Sequence, residues 1–250
     1  MDCVDRQGKF AIAYAAILKW KNFSFYYSSV LFSESNNSEI KSISSFKKMT
    51  LPVVENNVLH WNNSSLKIDG TWTSSDIPVI ENLIENDDDI LLQWNCHQPR
   101  AICNLSIGEN FKLKGLGYTE TIKMQIEPWH LPIDELRWGR FVSEKHVVIW
   151  IDWKHANPLT IVYWNGNRVD ARVTDDGIYC SEASLLFSDA RIIKKDSIAK
   201  NIQSFPLLRS IFKSKILNTF ECKMIATGTV KINGTEVCKE KFIYEIVKWN

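Results

Sequence analysis

The sequence of 250 residues lacks any marked excess of one charge sign. It contains 30 Lys and Arg residues against 29 Asp and Glu residues, which gives a formal net charge of +1. Proteins that bind nucleic acids or anionic membranes usually present a basic surface, because phosphate groups attract lysine and arginine over long distances. The balance of charges therefore argues against a polyanionic partner.

Long hydrophobic runs are also missing. No apolar stretch approaches the roughly 20 residues that a helix needs to cross a bilayer. The first residues, Met1-Asp-Cys-Val-Asp-Arg6, do not show the basic and then apolar pattern of a signal peptide. We therefore expect a cytoplasmic protein without a transmembrane segment, and the sequence leaves its oligomeric state open.

The residues that hold metals, disulfides and nucleotides do not occur in the required spacings. The six cysteines include no Cys-x-x-Cys pair, so we expect reduced and mostly buried thiols. The five histidines never stand at i, i+2 or i+4, as a zinc pair would. Gly115-Leu-Gly117 is too short for a dinucleotide fingerprint, and no Gly-x-Ser-x-Gly motif occurs. We expect neither a metal nor a cofactor.

Aromatic residues, by contrast, are abundant. The chain has ten tryptophans, and five of them lie between Trp129 and Trp164. One interpretation is a large β core, because aromatic side chains favour pleated surfaces. The other is a wide apolar cavity with walls of aromatic rings.

Short segments of alternating polar and apolar residues recur along the whole chain and predict an all-β protein made of antiparallel barrels or sandwiches. The strongest hairpin signals are the Lys21-Asn22, Asn165-Gly166 and Asn233-Gly234 turns between such segments. Helical patterns are limited to two short stretches, Ile77–Glu85 and Phe205–Lys215. The predicted strands are 10–20, 23–32, 66–72, 90–96, 101–107, 111–115, 146–153, 159–164, 168–173, 224–232 and 242–249.

A proline-rich segment interrupts the strand pattern near the middle of the chain. Pro128 and Pro132 cannot donate backbone hydrogen bonds, so they disfavour a central strand there. We therefore predict an N-terminal domain over residues 1–127 and a C-terminal domain over residues 128–250.

Acid chemistry is the most specific functional signal. Because side chains on a strand alternate, Tyr118 and Glu120 are expected on one face, with Thr119 and Thr121 on the other. Burial among aromatic rings would favour the protonated form of Glu120, which could then donate a proton near neutral pH. Tryptophan faces nearby could stabilise positive charge that develops on a substrate.

A purely structural role remains open for the same residues. Glu120 could form a buried ion pair with Arg137 or Arg140 that holds two sheets together. Glu135 and Arg137 have the same period-two spacing and could pair with each other instead. Cys96 is typical of a core thiol.

Three blocks together resemble a known family. They are Leu92-Gln-Trp-Asn-Cys-His-Gln-Pro-Arg-Ala101, Leu113-Lys-Gly-Leu-Gly-Tyr-Thr-Glu120 and Leu136-Arg-Trp-Gly-Arg-Phe141, the last leading into Val147-Val-Ile-Trp-Ile-Asp-Trp153. In order and spacing they resemble the carotenoid hydratase-like proteins. These belong to a lipocalin-like superfamily that also includes kievitone hydratase and natural-product cyclases.

The resemblance implies two consecutive lipocalin-like antiparallel β-barrels or half-barrels with few short helices, and an active site where they meet. It places the motif tyrosine at Tyr118, the catalytic carboxyl at Glu120 and the upstream aromatic residue at Trp94. The family's Trp-Gly-Arg falls on Trp138-Gly139-Arg140. The remaining candidates for substrate binding are Cys96, Trp129, Glu135, Arg137 and Arg140.

The sequence departs from the family pattern at the motif itself. Family members often carry histidines where this chain has Thr119 and Thr121, and aspartate where it has Glu120. A glutamate carboxyl reaches about 1 Å further, and displacements of this size can change a rate about a hundredfold. Carotenoid hydration itself is therefore not the expected reaction.

The sequence is compatible with three functional interpretations. The first is an enzyme without a cofactor that protonates or rearranges a double bond of a lipophilic, isoprenoid-like or polyketide-like substrate, giving hydration, isomerisation or cyclisation. The second is a non-catalytic lipocalin-like carrier of a hydrophobic ligand. A third and weaker reading is a degenerate relative whose cavity is filled by tryptophan side chains.

Overall fold

Antiparallel strands make up nearly all of the secondary structure. The computed structural model describes residues 1–35, 38–87, 89–201 and 212–249. In these residues lie nineteen strands, the one-turn helices α1 (Ile198–Asn201) and α2 (Ser214–Leu217), and a 3-10 helix at Pro128–His130. The predicted all-β fold with few short helices is confirmed, and one of its two sheets forms a half-barrel.

The strands fall into two sheets. The first sheet contains β1 (Asp2–Val4), β2 (Phe10–Trp20), β3 (Phe23–Ser33), β4 (Lys41–Ser45), β5 (Val53–Glu55), β6 (Val58–Asn63), β7 (Ile68–Thr73), β8 (Val79–Glu85), β9 (Ile90–Ile107) and β10 (Phe111–Met124). The second contains β11 (Glu135–Val142), β12 (Val147–Lys154), β13 (Leu159–Trp164), β14 (Asn167–Val169), β15 (Arg172–Val173), β16 (Gly177–Tyr179), β17 (Ala183–Ser197), β18 (Phe220–Ile232) and β19 (Thr235–Lys248).

Both sheets follow the same strand order. The first runs β4-β3-β2-β1-β10-β9-β7-β6-β5, with β8 paired to β9, and the second runs β14-β13-β12-β11-β19-β18-β17-β16-β15. In each sheet the first strand therefore pairs with the last, β1 with β10 and β11 with β19. The chain thus repeats one topology twice.

The chain divides into two compact units. Unit 1 comprises Met1–Ile80 and Asn95–Thr121, and unit 2 comprises Glu81–Trp94 and Ile122–Asn250. The division passes through the long strands β9 and β10. The domain ranges 1–127 and 128–250 stay a prediction.

Aromatic rings fill the core of each unit. In unit 1 the buried core includes Trp61 and Trp72, and the rings of Phe32 and Phe111 meet edge to face at 4.8 Å. The core of unit 2 contains a larger group of rings in mutual contact, namely Phe141, Trp150, Phe187, Phe242 and Tyr244. Trp150 and Trp164 belong to this core, so much of the tryptophan cluster serves packing, as the first interpretation proposed.

The predicted hairpin turns are confirmed. Trp20 pairs with Phe23 across Lys21-Asn22, and Lys21 has a φ of 51°. At Asn165-Gly166 both residues have positive φ, 49° and 80°, as the tight turn between right-twisted strands requires. Asn233-Gly234 repeats this geometry, with φ values of 48° and 79°.

One local prediction was wrong. Ile77–Glu85 is not helical, because Val79–Glu85 forms strand β8 and pairs with β9. The predicted strands 90–96 and 101–107 are confirmed as parts of the single strand β9, since Pro99 is accommodated within it. The predicted strand 168–173 is divided between β14 and β15.

The predicted helix Phe205–Lys215 falls mostly on residues outside the described ones. Its last two residues, Ser214 and Lys215, open helix α2.

The buried face of β9 changes partway along the strand. Before Gln98 the buried residues are even-numbered, such as Leu92 and Cys96. After it they are odd-numbered, such as Ala101 and Cys103. Pro99 sits at this change, where its missing N–H is tolerated. Both faces of the strand are consequently buried along part of its length.

Within the described part of the chain, no helix is long and apolar enough to cross a membrane.

Candidate active site

Strand β10 carries the predicted acid pair in unit 1. Tyr118 is only 2% exposed, and its hydroxyl donates a hydrogen bond to Oε2 of Glu120, which is half-buried. The alternation of the strand brings the two side chains to the same face, as the sequence predicts. A phenol thus reaches the carboxyl that the resemblance marks as catalytic.

Cys96 joins this pair from the neighbouring strand β9. Its thiol is fully buried and forms a hydrogen bond with Tyr118. Burial, followed by the nearby charge of Glu120, raises the pKa of Cys96 well above its usual value, and the contact with Tyr118 lowers it only in part. The thiol is therefore neutral and acts here as a weak hydrogen-bonding group rather than a nucleophile.

The glycines before Tyr118 allow two backbones to approach closely. A Cβ added at Gly115 would lie 2.4 Å from the carbonyl oxygen of Val4, and one at Gly117 would lie 2.3 Å from that of Asp2. The Gly117 position would also be 3.0 Å from the Trp72 ring, whose Nε1 donates to Asp2 O at 2.7 Å. Gly115-Leu-Gly117 therefore fixes strand β1 against β10 beside the acid pair.

Thr119 and Thr121, on either side of Glu120, bind other partners. Thr119 Oγ1 donates to Gln98 Oε1 at 2.9 Å, and Gln98 Nε2 in turn donates to Trp72 O at 3.0 Å. Thr121 Oγ1 lies 2.9 Å from a ring nitrogen of His97. The imidazole of His97 on β9 thus lies beside Thr121. Strand spacing alone did not reveal this contact.

In unit 2, Glu135 lies among cations. Its carboxylate contacts Arg137 Nε at 2.9 Å, Lys154 Nζ at 2.9 Å and Lys248 Nζ at 3.1 Å. Burial acts to raise the pKa of Glu135, but the hydrogen bonds from Lys154, Arg137 and Lys248 outweigh it and lower the pKa to about 2. Arg137 also contacts Asp175 at 2.8 Å. The alternative same-face pairing of Glu135 with Arg137 is confirmed.

The Trp138-Gly139-Arg140 motif lies on β11 in the same unit. A Cβ at Gly139 would lie 2.3 Å from the Trp150 ring and 2.6 Å from Tyr244 Cβ, so glycine makes room for the core rings. Arg140 is 8% exposed and donates from Nη1 to Ile243 O at 2.9 Å. Burial lowers the pKa of Arg140 to about 9, which still leaves the guanidinium charged at neutral pH.

Trp94 and Trp129 are both buried residues of unit 2. Trp94 is 1% exposed and stands on β9, two residues before Cys96. Trp129 is 9% exposed in the 3-10 helix and contacts Phe212 edge to face at 6.4 Å, with Lys213 Nζ 5.5 Å from its ring centre. Trp138 is half-buried.

Within unit 1, then, Cys96, Tyr118 and Glu120 are in contact, and within unit 2, Glu135 and Arg137 are in contact. The convergence of all nine candidate residues on one pocket stays a prediction.

A second charged cluster was not among the predicted site residues. Glu221, Lys223 and Glu245 contact one another in unit 2, on strands β18 and β19. The sequence signal was present, since Glu221-Cys-Lys223 places two opposite charges at period-two spacing inside a largely apolar strand.

Among the described residues, no group of three or more His, Cys, Asp or Glu side chains is placed to hold a metal ion.

Comparisons with known proteins agree on the fold. Neither the protein-family profiles nor the curated proteins contain a match to this chain. The crystal structure of kievitone hydratase from Nectria haematococca matches with a TM-score of 0.56 at 10% identity, over 99% of this chain and 87% of that one. The chain has the kievitone hydratase fold.

A second structure of this fold is a protein assigned as AttH from Nitrosomonas europaea. It matches with a TM-score of 0.57 at 6% identity, over 97% of this chain and 87% of that one. The kievitone hydratase fold thus extends over nearly the whole chain, as the three sequence blocks led us to expect.

Proposed function

We propose that the protein is an enzyme that needs neither a metal nor a nucleotide and uses the Glu120 carboxyl to protonate a double bond of a lipophilic substrate. The substrate class is an isoprenoid-like or polyketide-like lipid. The product is a hydrated, isomerised or cyclised lipid.

The hydrogen bond from Tyr118 to Glu120 carries this proposal. Protonated Glu120 gives its proton to one carbon of the double bond, so that an O–H bond breaks, a C–H bond forms and a carbocation remains. The Tyr118 hydroxyl donates to the carboxylate left behind and stabilises it, because hydrogen bonds to a charged acceptor are the stronger ones. The carbocation then adds water, loses a neighbouring proton or is attacked by a second double bond, and the proton released at the end of each route returns to the Glu120 carboxylate.

The surroundings of the pair suit this chemistry. Tyr118 is 2% exposed, so the phenol is shielded from water that would compete for Glu120. The neutral thiol of Cys96 contacts Tyr118 and helps to hold its ring in place. We assign Cys96 to positioning, and Trp94, Trp129 and Trp138 to the walls that contact the substrate and tolerate its positive charge.

The carboxyl of Glu135 does not suit the role of acid. Its three cationic neighbours keep it ionised, so it holds no proton to donate. Arg137 is engaged with Glu135 and Asp175, which favours a supporting role for this pair. Arg140 remains the candidate for tuning the acid or anchoring a polar substrate group.

The fold adds support, since one of the proteins that shares it bears the name of a hydratase. A fold hosts many functions, however, so the assignment depends on the Tyr118–Glu120 pair.

The test begins with the natural ligand. Lipid extracted from the natively purified protein is identified by mass spectrometry, and the related unsaturated lipids are incubated with fresh protein. Glu120→Gln keeps the shape of the side chain but removes the transferable proton, and we expect turnover to fall by about 10²-fold to 10⁴-fold. Glu109→Gln, at an exposed position before β10, is the matched control and should keep full activity.

Full turnover by Glu120→Gln would refute the acid role. A lipid that is bound equally by both variants and returned chemically unchanged would instead identify a carrier.

A further inference from the structure

Two carboxyl groups and a lysine meet inside unit 2. Lys223 on β18 stands directly opposite Glu245 on β19 in the antiparallel register. Glu221 lies two residues before Lys223, so its side chain shares the same face of the sheet. Two strands thereby bring three ionisable groups together.

The contacts within this cluster are direct. Lys223 Nζ forms an ion pair with Oε1 of Glu221 and lies 2.6 Å from Oε2 of Glu245, and the lysine side chain is only 4% exposed. The two carboxyl groups are also hydrogen-bonded to each other. Two ionised carboxylates have no hydrogen to share, so a hydrogen bond between them requires one bound proton.

Other charged groups face the cluster from the neighbouring strands. On β17, Lys194 stands opposite Lys223 and lies 3.9 Å from Glu221, and Asp196 stands opposite Glu221 while holding Lys200 at 2.6 Å. Arg140 on β11 is near enough to Glu245 for the two charges to interact. Cys222 lies between the charged residues of β18, and its thiol is kept neutral because burial raises its pKa.

These surroundings shift the pKa values of the two carboxyl groups in opposite directions. Burial raises the pKa of Glu245 to about 7, against the attraction of Lys223. For Glu221, burial also acts to raise the pKa, but the charge of Lys223 outweighs it and the pKa falls below its usual value. Environments that separate the pKa values of adjacent carboxyls are typical of pairs that bind a single proton.

We propose that Glu221 and Glu245 form a proton-binding site that holds one proton between them, and that unit 2 loses stability when this proton leaves. Glu221, Lys223 and Glu245 are not among the residues assigned to catalysis, and the proposal does not depend on the proposed function.

The direction of the pH effect follows from the two carboxyl groups. Glu245 binds its proton more tightly in the folded chain, so its contribution is complete below about pH 4.5 and is lost as the pH rises to about 7. Glu221 acts in the opposite direction, and its contribution is lost as the pH falls below its ordinary range. Of these two carboxyl groups, therefore, only Glu245 changes its contribution to stability between pH 5 and pH 8.

Urea unfolding of the full chain between pH 5 and pH 8 tests the proposal. We expect the unfolding equilibrium constant of the wild type to rise by about 10-fold to 100-fold relative to Glu245→Gln, which keeps a hydrogen-bonding side chain but cannot ionise. Glu236→Gln, at an exposed position on the same strand, should follow the wild type. Parallel pH profiles for the wild type and Glu245→Gln would overturn the proposal.

A measurement on the wild type alone covers the case in which Glu245→Gln does not fold. In a protein labelled with ¹³C at the glutamate carboxyls, one resonance should titrate near pH 7, well above the ordinary range for glutamate. If every glutamate carboxyl titrates below about pH 5.5, the pair does not hold a shared proton.

Discussion

Glu120 and Glu135 are both strand glutamates with a partner two residues away, yet their surroundings differ. Glu120 in unit 1 accepts a hydrogen bond from the phenol of Tyr118, and Glu135 in unit 2 contacts Arg137 and two lysines. Three cations keep Glu135 ionised down to about pH 2. The comparison shows that period-two spacing along a strand does not determine which partner a glutamate acquires.

The two sheets also differ in the atoms that surround a core glycine. Their strand orders are equivalent, and in each a glycine allows a core tryptophan to pack closely, Gly117 beside Trp72 and Gly139 beside Trp150. The close contacts are nevertheless of different kinds. Gly139 is limited by side chains of Trp150 and Tyr244, but Gly117 is limited first by the backbone oxygen of Asp2.

The largest expected effects come from filling these two glycine positions. Gly139→Ala and Gly117→Ala should each lower the free energy of unfolding by about 3 kcal/mol, because the added Cβ overlaps atoms in a packed core. Urea denaturation of the full chain measures both losses.

The loss of stability at each glycine should respond differently when the neighbouring tryptophan is replaced by phenylalanine. Trp150→Phe removes the outer ring atoms that the new Cβ would meet, so Gly139→Ala should cost less in that background. Trp72→Phe should not rescue Gly117→Ala, since the Asp2 oxygen remains 2.3 Å from the Cβ position. If the phenylalanine substitutions restored stability equally in both units, side chains rather than the backbone would be what the added Cβ meets at Gly117 as well.

An intermediate effect is expected at Glu135. Glu135→Gln should destabilise the protein by about 1–2 kcal/mol at pH 7, a value reduced for the solvent exposure of Lys154 and Lys248. Because the pKa is lowered in the folded state, the stabilisation is complete above about pH 4.5 and is lost as the pH falls to about 2.

Unfolding curves of Glu135→Gln and the wild type at pH 7, 4 and 3 measure this loss, because the difference in stability between the two proteins should shrink as the pH falls. The exposed Glu182→Gln serves as the control and should match the wild type throughout. A difference that stays constant on acidification would exclude the cation cluster as its cause.

The smallest effect concerns the hairpin turns. Unit 2 uses Asn165-Gly166, but unit 1 places Lys21 at a φ of 51°, where a lysine is strained. Lys21→Gly should therefore raise the free energy of unfolding by about 0.5 kcal/mol, the relief of strain exceeding the greater entropy of glycine in the unfolded chain. Thermal unfolding measures the change. Lys19→Gly, within strand β2, should instead be destabilising.

Strands and turns could be predicted because their signals are local. Alternation and the Asn-Gly pairs locate the hairpins around residues 165 and 233, and period-two spacing brings Tyr118 and Glu120 to one face. The prediction failed where partners in the fold override local preference. Val79–Glu85 became a strand because β9 offered an edge for pairing, and Pro99 was carried inside a strand that remained continuous.

The sequence by itself determined the all-β class, the positions of the main hairpins, the alternation of side chains and the likeness to a lipocalin-like superfamily. Tertiary structure decided which partners each charged group has: Tyr118 for Glu120, three cations for Glu135, and Lys223 together with Glu221 for Glu245. The reason is physical. Alternation depends on adjacent residues, but the protonation of a carboxyl depends on burial and on charges that strand pairing brings from distant parts of the chain.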